Sequence, residues 1–465
     1  MKPEDTDFSP MCLFAFLIFN VLVNYVCTIM INKCKVNFMY GCQQNLITTS
    51  SELKAILEFI CSESHKLTNC GIYYARQLYF KTRKILGKFD LEKEYKTNKH
   101  FQVLYSQAAQ QILRSVAESF KSFQELNKKY KKGELKDKSK LPKYRKKGGL
   151  ALITYPKQAL KLVDNQIRIP LGKTVKRWFS IDSFSLLMPS NFKFEDIKEL
   201  RILPRNQCFY VEFVYELETQ DKSLNQDNVL GLDPGINNWI TAVSNVGTSF
   251  IIDGKHLKSV NRWYNKQVST IKEGKSQGFW SNRLAKITER RNRQMRDAVN
   301  KAARIVINHC LDNNIGVIVF GWNDEVKKGV NLGKKNHQSF VSIPTAKLKN
   351  RIAQLCELYK IKFIQQDESY TSKSSFLDGD FIPTYGEKPN EWKSSGKRVK
   401  RGLFRTSNNQ YINADCNGAA NVIRKLQQVS TILNFDLSRV SRAVLTQPQK
   451  LKFWSAKKTR SNVDL

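Results

Sequence analysis

The sequence predicts a multidomain α+β protein: a helical region, then a strand-rich region, then a domain in which strands and helices alternate. Three observations predict it. The 465 residues suffice for roughly two to four domains, and 41% hydrophobic with 11% aromatic residues is enough to build cores in each. Apolar periodicity changes from helical to strand-like near residue 150, and becomes mixed beyond residue 228. Lys and Arg outnumber Asp and Glu by 77 to 41, a net charge of +36. That surplus repels itself unless a polyanion neutralises it, so nucleic acid is the first expected partner and an anionic membrane surface the second. An ordinary metabolic enzyme has no need of it.

The first element is an apolar leader. Phe8 to Asn32 contains no charge and is long enough to span a bilayer. Acidic residues (Glu4, Asp5, Asp7) precede it, no small-residue cleavage site follows, and Asn20 and Asn24 interrupt it. The reading adopted is that translation starts at Met30 or Met39, with no membrane partner; a membrane-associated protein whose Lys-rich segments face anionic lipid is the competing one. Between residues 50 and 127 Leu53, Ile56, Leu57 and Ile60, then Ile112, Val116 and Phe120, recur at helical spacing. Residues 128–147 carry 11 Lys or Arg beside Tyr130 and Tyr144, a solvated linker that would also grip a phosphate backbone.

Residues 150–217 break into short strands punctuated by Pro and Gly, which predicts a small β-barrel or strongly bent sheet. From residue 228 three strands with tight turns lead to a helix over Leu284 to Leu311, whose apolar stripe is Met295, Val299, Ala302, Val306 and Cys310. A strand at 316–320, a helix after Pro344, a strand at 361–365 and a helix at about 417–428 complete the order β-β-β-α-β-α-β-α, with a loop-rich insertion at 378–411. That order is that of the RNase H-like fold. The ten cysteines include no C-x-x-C pair and the five histidines are scattered, so neither a zinc ribbon nor a redox pair is written here, and a reducing compartment is expected.

A nuclease on such a fold needs carboxylates from separate segments, because hard divalent cations take oxygen ligands. Asp233 ends the first strand in GLDPGINN, although Asp-Pro-Gly also serves as a plain turn. Glu368 follows the strand at 361–365 in QQDESYTSK, and alternation points it away from Asp367. Asp415 stands at the mouth of the last helix, where it could equally be an N-cap; Gly418, Ala419 and Ala420 allow that helix to pack closely.

With these residues in order, GLDPGINNWITAVSN, NLGKKNHQSFVSIP, ESYTSKSSFLD and GKRVKRGLFRTSNNQYINAD together resemble the TnpB (OrfB-type transposase) proteins of bacterial insertion sequences, over about residues 39–430. The resemblance implies an RNA-guided DNA endonuclease with a RuvC-like nuclease domain, a β-barrel wedge domain and a helical recognition lobe. It implies the following division: the leader at 1–38, a first wedge strand at 39–50, the recognition lobe at 51–145, the wedge at 146–227, the nuclease domain at 228–377 and 412–430, a ribbon-like insertion at 378–411 and a tail at 431–465. It implies Mg²⁺ held by Asp233, Glu368 and Asp415, a guide RNA, a double-stranded DNA target, a separate transposase from the same element, and a cytoplasmic, nucleoid-associated location in a bacterium. A relative that binds nucleic acid without cutting it is the alternative. The chain departs from the family twice. Where most members carry the second acid it has Phe320 and Gly321, so Glu368 takes the alternative position, with Asp324 and Glu325 as fallback. Ser374 and Ser375 stand where the first Cys pair of a zinc ribbon would fall, so no structural zinc is expected and other contacts must hold that loop.

Overall fold

The structure is a computed structural model that describes residues 38–87, 89–323, 343–430 and 433–452. The apolar leader before residue 38 lies outside the described residues, as do Asp324 and Glu325. The first half opens with β1 (Phe38–Leu46) and the long α1 (Ser51–Thr82), which starts where Ser50 accepts a hydrogen bond from the Leu53 amide (3.1 Å). Two short helices, α2 (Asp90–Tyr95) and α3 (Lys99–Val103), lead to α4 (Ser106–Lys131). Gly71 lets α1 approach α4 closely, since a Cβ there would stand 3.1 Å from Leu113. Both helices bury their apolar faces in one core with the strands that follow, so Ile56, Leu113 and Phe120 share it with Ile153 and Phe213.

Those strands are β2 (Ile153–Pro156), β3 (Lys161–Val163), β4 (Gln166–Pro170), β5 (Ser183–Leu187), β6 (Ile197–Arg205) and β7 (Cys208–Glu218), with the short α5 (Lys173–Phe179) between β4 and β5. They build two sheets, β1-β7-β6-β2 and β3-β4-β5. The expected barrel is therefore corrected: no closed barrel is found among the described residues. β2 pairs with β6 over four residues, Pro156 cannot donate to a further ladder, and the chain then turns away into the separate three-stranded sheet.

The second half is built on a six-stranded sheet, in the order β12-β11-β8-β9-β10-β16. β8 (Val229–Pro234), β9 (Asn238–Ser244) and β10 (Ser249–Asp253) form an antiparallel meander; α6 (Lys255–Lys272) and α7 (Asn282–Asp312) follow. β11 (Val317–Gly321) then pairs parallel to β8, α8 (Thr345–Tyr359) crosses over, and β12 (Lys362–Gln366) pairs parallel to β11. The insertion carries β13 (Lys397–Lys400), β14 (Leu403–Arg405) and β15 (Tyr411–Asn413), and α9 (Ala414–Val429) returns to the sheet. The short α10 (Arg442–Thr446) and β16 (Gln449–Leu451), parallel to β10, close the described chain.

This is the expected order with additions: α6, the three short strands within the insertion, and α10 and β16 in the stretch expected to be a tail. α6 stands where no element was expected, although Leu257, Val260, Tyr264, Val268 and Ile271 recur along it at helical spacing. Among the described residues, no helix is long and apolar enough to cross a membrane.

Candidate active site

Asp233 lies near the end of β8, paired with Thr241 of β9, at the centre of the sheet. Two glycines clear the space around it. α9 crosses β8 so closely that a Cβ on Gly418 would stand 2.8 Å from Asp233 Oδ2, and one on Gly231 would meet the Ala419 carbonyl at 2.4 Å. On the other flank, β11 ends in Gly321, where a Cβ would come within 3.5 Å of the Glu368 Cβ. Glu368, on the loop after β12, therefore passes over the position that β11 leaves without a side chain.

The neighbouring Asp367 does not compete for this place. Its Oδ2 accepts from Lys425 Nζ at 2.6 Å, and Lys425, buried on α9, also reaches the Ser369 carbonyl at 2.8 Å. Asn417 and Asn421 of the same helix fasten the following loop: Asn417 accepts from the Phe376 amide, and Asn421 donates to the Thr371 and Ser374 carbonyls. α9 thus grips the chain on both sides of Glu368. Neither Lys425 nor these asparagines were singled out in the sequence; the only available signal was three polar residues on one turn-spaced face of an otherwise small, apolar helix.

Asp415 sits in the first turn of α9, but it is not the cap. Asn413 takes that role, accepting from the Asp415 and Cys416 amides at 2.9 and 3.1 Å, and so frees the Asp415 carboxylate. Asn238, at the start of β9, donates to Asp415 Oδ2 at 2.6 Å, and Arg398 of β13 donates to Oδ1 at 2.9 Å. Arg398 belongs to a basic stretch that the sequence marks only by its charge.

Asp233 feels the charges of the other two carboxylates. Burial, then the Glu368 and Asp415 charges, push Asp233 well above the ordinary aspartate value, against an opposing pull from Arg398. Burial, then the Asp367 charge, push Glu368 up to about 7. A cavity of about 580 Å³ opens beside them, walled by Asp233, Asn238, Lys255, Arg398, Asp415 and Lys452 among others; Glu368 is not on its wall.

Oxygen donors, the repulsion that Asp233 feels from the other two carboxylates, and a buried Glu368 Oε2 without a hydrogen-bond partner all suit a hard divalent cation. The set is not closed as it stands: among the described residues, no three His, Cys, Asp or Glu are placed to hold a metal together. Both Asp415 oxygens are occupied by Arg398 and Asn238, and a ligating Asp415 must exchange at least one of them.

In the insertion, Asp380 is buried and accepts from the Ser375 amide (2.7 Å), the Ser395 amide (3.1 Å) and the Ser395 hydroxyl. Three serines, Ser375, Ser394 and Ser395, converge on one carboxylate, with the Ser394 hydroxyl donating to it at 3.1 Å. These are the contacts that hold the loop.

Residues 212–326 match the family described as OrfB_IS605, probable transposase. Among solved structures, the chain is similar to the one described as a Cas12f1–sgRNA–target DNA complex, at 14% identity, with 81% of this chain and 83% of that chain covered and a TM-score of 0.50. It also matches the mini-RNA-guided endonuclease CRISPR-Cas_phi3, at 11% identity, with 85% and 94% covered and a TM-score of 0.41. The first of these likenesses shows a shared mixed α/β fold. No curated protein matches the chain.

Proposed function

We propose that this chain, of the OrfB-type probable transposase family by its residues 212–326, is an RNA-guided DNA endonuclease that hydrolyses phosphodiester bonds with divalent metal. The observation that supports the reading is that Asp233 and Asp415, from separate segments, line one basic cavity, while Glu368, off its wall, is near enough for its charge to raise Asp233. The neighbour of similar fold was solved with a single-guide RNA and target DNA, which supports the same two partners here.

Asp233, Glu368 and Asp415 would hold Mg²⁺. When bound, Mg²⁺ supplies an activated water and stabilises the leaving oxygen of an in-line displacement at phosphorus. The chain's own residues do the rest. Lys255, Arg401 and Lys452 on the cavity wall attract the phosphate backbone and orient it across the carboxylates. α9 holds the carboxylate geometry from below through Gly418, Asn421 and Lys425.

The test is cleavage of a plasmid bearing a matched target by protein purified with its RNA, in Mg²⁺. Asp233→Ala and Glu368→Ala are each expected to abolish cutting while RNA still co-purifies. Normal cutting by Glu368→Ala together with loss in Glu325→Ala would move the second acid to Glu325.

One observation favours a second reading. The Arg398–Asp415 pair occupies the site's third carboxylate, as expected of a relative that binds nucleic acid without cutting. Tight target binding with no cleavage in Mg²⁺ or Mn²⁺ would establish that reading instead.

A further inference from the structure

α6 borders the carboxylate cavity at its first turn and a second cavity along its middle turns. Lys255, in its first turn, lines the carboxylate cavity. Ser259 and Trp263 line a separate groove of about 360 Å³, with Val260 of the same helix and Arg290 and Gln294 of α7. Residues 255, 259 and 263 are spaced four apart, so they lie on one face of α6. All three are exposed. At about 1.5 Å per residue, the face runs about 12 Å from the carboxylate cavity to the indole of Trp263.

The groove is firm and basic. Lys258 donates to Asn237 at 2.8 Å, anchoring α6 to the turn between β8 and β9. Arg291 donates to the buried Asn261 at 2.9 Å, and Tyr264 pairs with Thr288 at 3.1 Å, so the two helices are fastened along one side. On the open side the Arg290 guanidinium lies 5.9 Å from the Trp263 ring centroid, and Trp263 is 43% exposed. α6 contains Lys255, Lys258, Arg262, Lys266 and Lys272 and no acid. Of the acids on α7 beside the groove residues, Glu289 is buried and tied to Arg296, and the exposed Asp297 is paired with Lys301 at 2.7 Å.

A large exposed aromatic beside a guanidinium, in a field of positive charge, suits an unpaired base stacked on a π-face with its phosphates held by Lys and Arg. We infer that the Trp263–Arg290 groove is a stacking subsite for single-stranded DNA, a few nucleotides along the strand that crosses the carboxylate cavity. DNA is the source because the groove continues the face that Lys255 begins, so the strand presented for cutting is the one that reaches it. The inference rests on the nuclease reading above and adds a positioning site that the carboxylates do not supply.

The test uses the full chain with its RNA bound, and short fluorescent oligothymidylate, an abasic strand of equal length, and oligouridylate. Trp263→Ala is expected to weaken oligothymidylate binding about five- to a hundredfold, to leave abasic binding unchanged, and to be largely rescued by Trp263→Phe. No loss on oligothymidylate, or an equal loss on the abasic strand, overturns the stacking site. A loss confined to oligouridylate overturns the assignment to DNA. Self-association of the wild-type chain that Trp263→Ala abolishes would make the groove a protein interface and overturn it as well. Plasmid cleavage separates the two readings: a wild-type protein that cuts, with a Trp263→Ala that binds normally, removes the groove alone, whereas a wild-type protein that neither binds nor cuts removes both.

Discussion

Asp367 and Glu368 are chain neighbours with opposite electrostatic fates. Burial raises both, but hydrogen bonds from Lys425 and Ser369 outweigh it at Asp367 and leave that carboxyl below its ordinary value. Glu368 has no such partner, and its burial and the Asp367 charge push it up to about 7. The alternation of a strand end separates these two side chains in the sequence; what pins one of them, Lys425, is a contact across the fold that no local pattern announces. Lys425→Met should therefore release Asp367 and let Glu368 swing. Cleavage is expected to fall about ten- to a hundredfold at unchanged DNA affinity, with the rate and the binding constant measured separately. The raised carboxyls also set a pH dependence. An acid whose folded pKa lies above its unfolded value costs stability once it must ionise. The cost is absent below the ordinary glutamate value of about 4.3, grows as pH rises toward about 7, and is full above it. Thermal melts of metal-free protein should lose stability from about pH 5 to about pH 8, and Asp233→Asn should flatten that fall by removing a second buried carboxyl whose ionisation the fold opposes. Mg²⁺ should raise the melting temperature of the wild type more than that of the variant.

At the scale of elements, the insertion is drawn together by one buried carboxylate: Asp380 gathers donors from Ser375 before it and from Ser394 and Ser395 after it. The absence of cysteines was plain in the sequence, but Asp380 was not, because an Asp five residues after Ser375 looks like any loop residue until the chain returns with Ser394 and Ser395. Asp380→Ala strips an acceptor from two amides and two hydroxyls, and the buried Ser375 amide alone costs about 1–3 kcal/mol when left unpaired. The insertion should then become the first site of limited proteolysis, while the six-stranded sheet persists. Since Arg398 hangs from β13 of this insertion, the same variant should also lose the Arg398–Asp415 pair, visible as a change in cleavage rate without loss of RNA. Five strands of the sheet and α7 were legible because apolar stripes or runs mark them, whereas the three-residue β16 is too short and polar to stand out from a tail. α6 carries a stripe of the same kind, Leu257, Val260, Tyr264, Val268 and Ile271, so it too was legible, and the sequence reading missed it.

For the whole molecule, the net charge of +36 divides into surfaces with different roles. One lines the carboxylate cavity through Lys255, Arg401, Lys450 and Lys452, and a second clothes α6 and the start of α7. A third begins in the last turn of α4, where Lys129, Lys131 and Lys132 are all exposed. Two accounts of this third surface compete. Cations at a helix C-terminus stabilise it through the macrodipole, by about 0.3–1 kcal/mol each, and that alone would justify their place. A phosphate backbone lying across the run would use the same charges to displace counterions. The two differ in salt dependence, since each phosphate neutralised adds about 0.7 to 0.9 to the slope of log affinity against log salt. Replacing Lys129, Lys131 and Lys132 together by Gln should lower that slope by about two for RNA binding, if the run grips the backbone. An unchanged slope with a lowered melting temperature would assign these lysines to the helix instead. The expected result is the lowered slope: a run of 11 cations over residues 128–147 extends well past α4, into chain where no macrodipole remains for them to complement.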